Sequence, residues 1–155
     1  MSRNHTPPRS ELTRRRLLGA AAAGVSVGLA GCGAALDDAE TTATVAVSGL
    51  PNGLQRYQCT LSQDGEEPIT AVDPVLIGGN EFQVVNGGVD SASVVVRAAD
   101  LSESVGATEE SRAVFTVTFG GTVAPADIDL GVGVADDDSG EPIPRDRWSV
   151  DVSEG

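Results

Sequence analysis

A chain of 155 residues with 23 acidic side chains, ten arginines and no lysine has room for one ordinary domain and carries a formal charge of −13. That balance excludes nucleic acid as a partner, because phosphate binding needs clustered basic side chains that release counterions. Carboxylates at this density repel one another in dilute buffer and become tolerable where salt screens charge over roughly 3 Å at 1 M, so the composition is that of a salt-adapted protein from an extreme halophile.

The chain opens with Thr13-Arg14-Arg15-Arg16-Leu17-Leu18, in which adjacent arginines precede one variable and two apolar residues, the pattern of a twin-arginine export signal. A stretch of small and apolar residues follows over 17–30. It suits the core of a signal peptide and is too short for a helix to cross roughly 30 Å of hydrocarbon. It closes on Leu29-Ala30-Gly31-Cys32, which resembles a prokaryotic lipobox, where the cysteine thiol receives lipid and becomes the mature N-terminus. Residues 1–31 are therefore expected to be removed, leaving five arginines against 22 acids, a net −17. Cys32 is thus expected to anchor the chain to membrane lipid on the extracellular face. A single acyl chain of myristoyl size binds only marginally, so stable retention calls for a two-chain lipid.

Residues 32–41 carry the lipidated end and a small, acidic stretch without an apolar face, expected to be a flexible tether. From Thr42 onward the period is two, and β-branched runs alternate with Gly, Pro, Asn and Asp clusters. The predicted strands are 42–48 with Val45 and Val47 inward, 55–63, 69–76, 81–85, 91–98, 112–119, 128–135 and 148–152. No segment of 42–155 reads as a helix. The sixth run puts Phe115, Val117 and Phe119 on one face and Val114, Thr116 and Thr118 on the other. The seventh offers Ile128, Leu130, Val132 and Val134 as its match. Residues 101–110 and 120–126 read as loops. The fold class is all-β: two packed sheets of about eight strands, a jelly-roll or immunoglobulin-like sandwich. In Tyr57-Gln58-Cys59-Thr60-Leu61, alternation makes Cys59 a buried small hydrophobe, and with Cys32 lipidated it has no disulfide partner.

The order of these features, Gly53-Leu54-Gln55-Arg56-Tyr57-Gln58-Cys59-Thr60-Leu61-Ser62, then Val94-Val95-Val96-Arg97-Ala98-Ala99-Asp100-Leu101, Ala113-Val114-Phe115-Thr116-Val117-Thr118-Phe119 and Asp136-Asp137-Asp138-Ser139-Gly140-Glu141-Pro142-Ile143, resembles a cohesin-type domain, especially the cohesin-like modules of surface proteins in halophilic archaea. The resemblance spans roughly 42–143 and implies a jelly-roll-like sandwich, shared with some carbohydrate-binding modules, that holds a protein partner by a face of a sheet. The segment 62–68 departs from the cellulosomal pattern, and dockerin binding is not carried over.

The one histidine, His5, lies in the signal segment, so residues 32–155 contain neither histidine nor lysine. Serine-histidine and cysteine-histidine dyads, histidine-ligated zinc and Schiff-base chemistry are thereby excluded, and no carboxylate pair stands out for glycoside cleavage, so a noncatalytic role is expected. In the run 136–140, Asp136 and Asp138 place hard oxygen ligands at alternate positions before a glycine turn. This is a partial likeness to a calcium loop that lacks the full spacing and the terminal glutamate, and a plain turn, which needs no metal, is the favoured reading over bound calcium. No other cofactor is implied. Trp148 and Phe82 are the aromatics left for a role as a sugar platform, and Trp148, between Arg147 and Val150, reads as a strand-edge core cap before it reads as a platform. The expected function is a surface lipoprotein whose sandwich binds another extracellular protein. The alternatives are a carbohydrate-binding module for surface or environmental polysaccharide and a structural accessory of the cell envelope.

Overall fold

A computed structural model describes residues 39–155. The export motif with Arg14 and Arg15, the lipobox residues Leu29, Ala30 and Gly31, and Cys32 lie outside the described residues, as does most of the tether.

Eight strands form two antiparallel sheets. In chain order they are β1 (Thr41–Val47), β2 (Arg56–Gln63), β3 (Ile69–Pro74), β4 (Phe82–Gly87), β5 (Ser93–Ala99), β6 (Arg112–Phe119), β7 (Ile128–Asp136) and β8 (Trp148–Glu154). Every predicted run is present, with ends displaced by at most two residues. The helical content among the described residues is three short 3-10 turns, Gly79–Glu81, Pro125–Asp127 and Arg145–Arg147, each leading directly into a strand.

One sheet has the order β3-β6-β1-β8 and the other β4-β5-β2-β7. Their inner faces meet in a core that includes Val45, Leu50, Leu54, Tyr57, Phe115 and Phe119, all essentially without solvent contact. Alternation delivers these residues: on β2, Tyr57, Cys59 and Leu61 point inward while Arg56, Gln58 and Thr60 point to solvent. Tyr57 lies parallel to Phe115 at 6.2 Å between ring centroids, and Trp148 tilts against Tyr57 at 5.7 Å.

Strict alternation fails on β6. Val114 was expected on the outer face and is fully buried, as are Phe115, Val117 and Phe119. The cause is a β-bulge: Val45 pairs with Phe115 and Ala46 with Ala113, which leaves Val114 as the extra residue. Its carbonyl, freed from β1, accepts the backbone N–H groups of Val75 (3.0 Å) and Leu76 (3.1 Å).

Along one side of the sandwich the edge strands β7 and β8 belong to different sheets, and Arg145 clasps them. Its Nη2 donates to the carbonyl of Leu130 at 2.7 Å and its Nη1 to that of Trp148 at 3.1 Å. Burial raises the thiol pKa of Cys59 to about 12, against the opposing charge of Arg145, so the one free cysteine among the described residues is held as an inert thiol.

Candidate protein-docking face

The outer face of the β4-β5-β2-β7 sheet is assembled row by row from cross-strand register. Gln83 on β4 stands opposite Arg97 on β5, Arg97 opposite Gln58 on β2, and Gln58 opposite Val134 on β7. The row on one side is Asn86, Val95, Thr60 and Gly131; the row on the other contains Ala99, Arg56 and Asp136. Apart from Asp136 at the end of β7, these are amide, hydroxyl, small and apolar groups with two guanidinium ions among them. Strands β2, β4 and β5 contain no aspartate or glutamate, and the acids of this sheet are confined to the two ends of β7, at Asp129 and Asp136.

The face is hollowed where small side chains sit between long ones. A depression of about 340 Å3 is bounded by Arg56, Gln58, Arg97, Ala99 and Val134. It adjoins a second, of about 260 Å3, that shares Arg97 and Ala99 and extends to Gln83 and the exposed Leu101.

The two arginines are held differently. The Nη2 and Nε groups of Arg56 both reach Asp136 Oδ2 at 2.6 Å, the one ion pair among the described residues. Arg97 Nη2 donates instead to the neutral Gln83 Oε1 at 2.8 Å. Its charge is thus positioned by an amide and, like those of Arg112, Arg145 and Arg147, has no ion-pair partner among the described residues, although Glu81 also lines the second depression.

At one end of the sandwich the loops after β1, β5 and β7 converge around two carboxylates. Asp137, the residue between the two predicted metal ligands, accepts from Ser139 N (2.9 Å), Ser139 Oγ (2.6 Å), Glu141 N (2.9 Å) and Asn52 Nδ2 (2.9 Å). The bonds from Ser139 and Asn52 are the main cause of its pKa falling to about 2, against the cost of desolvation. Asp100 accepts from Ser102 Oγ, Ser104 Oγ and, at 2.6 Å, Val105 N. Desolvation opposes its ionisation, but these bonds outweigh it and lower its pKa. Both carboxylates therefore organise loops through protein donors.

Of the predicted ligands, Asp136 faces Arg56 and Asp138 is exposed on the turn, its pKa raised by desolvation and by the charges of Asp100, Glu103 and Asp137. Asp136 and Asp138 are not brought together with a third acidic ligand, and no group of three or more potential metal-binding side chains occurs among the described residues. Trp148, weighed as a core cap and, less favoured, as a sugar platform, is buried inside the sandwich, and Phe82 packs against Phe115 at 6.3 Å. Trp148 therefore offers no open face for stacking on a pyranose, while Phe82 is half-buried with its ring set against the core. Sequence reasoning missed Arg97, Gln58 and Gln83 as a group and put Val134 on the inner face, whereas the bulge that leaves Gly133 as the extra residue of β7 turns Val134 outward beside them. Their signal was the absence of acids from three separated runs, but only the register makes them neighbours.

No protein-family profile and no curated protein matches the sequence. Among solved structures, the chain is similar to the sixth cohesin of scaffoldin B from Acetivibrio cellulolyticus, crystallised in complex with a mutant Cel5 dockerin. The match has a TM-score of 0.51 at 17% identity and covers 68% of this chain and 82% of the cohesin. The likeness establishes the cohesin-like β-sandwich as the fold.

Proposed function

We propose that this protein is a noncatalytic, lipid-anchored surface protein whose cohesin-like sandwich docks another extracellular protein on the outer face of the β4-β5-β2-β7 sheet. One observation carries the reading: in a chain this acidic, the three adjoining strands β4, β5 and β2 present no carboxylate. Solvation in brine favours acids on a free surface, and adjoining strands kept clear of them, with acids only at the two ends of β7, are suited to being covered. The structural neighbour supports a protein partner in general, since it is a cohesin solved with a bound dockerin. Burial of Trp148 weighs against the carbohydrate-binding alternative.

Export through the twin-arginine route and anchoring at Cys32 belong to the same proposal and rest on the two motifs at their mutual spacing. Twin-arginine export carries folded proteins, which suits a domain that collapses rapidly in high salt. A Cys32→Ser change should release the protein to the medium; unchanged membrane retention would contradict the anchor.

The docking reading is tested by presenting the protein as bait, in about 2 M salt, to host surface extract and in parallel to a polysaccharide panel. Saturable capture of one protein without sugar retention supports it. Retention by one polysaccharide alone overturns it in favour of carbohydrate binding.

A further inference from the structure

Resting on that docking reading, we infer that the anchor point of the face is a carboxylate receptor built on Arg97, and that the partner presents an acidic side chain from an extended protein segment. Arg97 is exposed at the meeting point of the two depressions, next to Ala99, whose small side chain leaves room for an entering group. Gln83 accepts one of its five N–H donors and orients the guanidinium across the sheet, while Gln58 stands directly opposite on the other side. Arg56 occupies the diagonal position on β2, with its charge already balanced by Asp136. The site thus holds one planar cation without an ion-pair partner, flanked by two amides and backed by a second arginine, with Glu81 the one carboxylate lining the second depression. This matches the planar, two-oxygen geometry of a carboxylate.

Salt adaptation strengthens the assignment. At molar salt, charge is screened beyond a few ångströms, so long-range attraction cannot select a partner and only a direct, hydrogen-bonded ion pair retains selectivity. An extended peptide matches the flat, four-strand breadth of the face. A uronic-acid polysaccharide offers the same anion but would also favour exposed rings for its sugar faces, and the aromatic side chains of this sheet, Tyr57 and Phe82, turn toward the core.

The test uses fluorescence polarisation with the full chain in detergent at 2 M KCl. The probes are a fluorescein-labelled (Gly-Glu)4 peptide and its (Gly-Gln)4 counterpart. The inference predicts saturable binding of the glutamate peptide, at least tenfold tighter than the glutamine peptide. Arg97→Gln should abolish that preference, while Arg112→Gln, the same charge change on the other sheet, should leave it intact; unchanged thermal melting confirms that both variants are folded. Equal binding of the two peptides, or equal loss in both variants, would overturn the receptor. Displacement of the peptide by polyglucuronate at lower carboxylate concentration than by polyglutamate would overturn the protein source of the anion. Absence of peptide binding, with a host protein still captured by the wild type and lost on Thr60→Arg, would overturn the carboxylate anchor while leaving the docking face standing.

Discussion

Gly53 and Gly140 share the same backbone dihedral, φ +81, yet only one of them is enclosed, and that contrast isolates how tightly the loops at one end of the sandwich are fitted together. A Cβ on Gly53 would collide with the Asp138 carboxylate and with the carbonyl oxygen of Val105; a Cβ on Gly140 would meet nothing within 4 Å. Asp138 can rotate away, but the Val105 carbonyl is backbone whose peptide group is tied through Gly106 N to Ser104 O at 3.2 Å, with Val105 N held by Asp100 Oδ2 at 2.6 Å. Placing alanine in the left-handed region costs roughly 1–2 kcal/mol at either site. The collision at Gly53 adds ~1–3 kcal/mol of overpacking, giving a total of roughly 2–5 kcal/mol. For a domain of about 120 residues, each kcal/mol corresponds to ~4 °C in Tm. Gly140→Ala should therefore lower Tm by ~4–8 °C and Gly53→Ala by ~8–20 °C, read by circular dichroism in molar salt. Equal losses in the two variants would refute the interlocked arrangement of the three loops.

Asp137→Asn should destabilise the fold at neutral pH, and the gap to wild type should close on acidification. The carboxyl titrates at about 2 when folded and at ~3.9 when unfolded, so its contribution is complete above about pH 4 and is lost as pH falls through the folded value. A gap that stays constant in melts between pH 5 and pH 2 would contradict the assigned hydrogen bonds. Tyr57→Phe should be neutral or stabilising by up to ~1 kcal/mol, since the buried Oη has no hydrogen-bond partner among the described residues; a clear loss on denaturant titration would contradict this. Arg145→Met should cost ~2–3 kcal/mol by leaving the carbonyls of Leu130 and Trp148 unpaired, and unchanged stability would remove the clasp between β7 and β8.

The sandwich was legible because each strand buries one face only. Tyr57, Cys59 and Leu61, or Phe115, Val117 and Phe119, announce their direction through a period of two that no helix could share. Val114 escaped because a bulge inserts one residue without leaving a mark in the apolar pattern, and its burial follows from a register that β6 shares with β1. Trp148 could have been a cap or a platform by sequence alone; its neighbour Tyr57 lies 91 positions earlier, beyond the reach of any local pattern. The acidic turn showed the same limit. Asp136, Asp137 and Asp138 are equivalent as letters, but Arg56 takes the first, loop donors including Asn52 take the second, and the third remains on the exposed turn. The docking face depends on four strands lining up Gln83, Arg97, Gln58 and Val134 from widely separated runs, so its composition was visible and its assembly was not.

The central claim is that one particular sheet face receives the partner, and paired arginine substitutions test it most directly. Thr60 is exposed on the central strand β2 of the proposed face, and Ser153 is exposed on β8 of the opposite sheet. Capture of the host surface protein should be quantified at about 2 M salt for Thr60→Arg and Ser153→Arg, with thermal melts confirming that both variants are folded. The account predicts that Thr60→Arg abolishes capture and Ser153→Arg leaves it unchanged. Capture that survives Thr60→Arg and is lost with Ser153→Arg would place the partner on the other sheet and contradict the account.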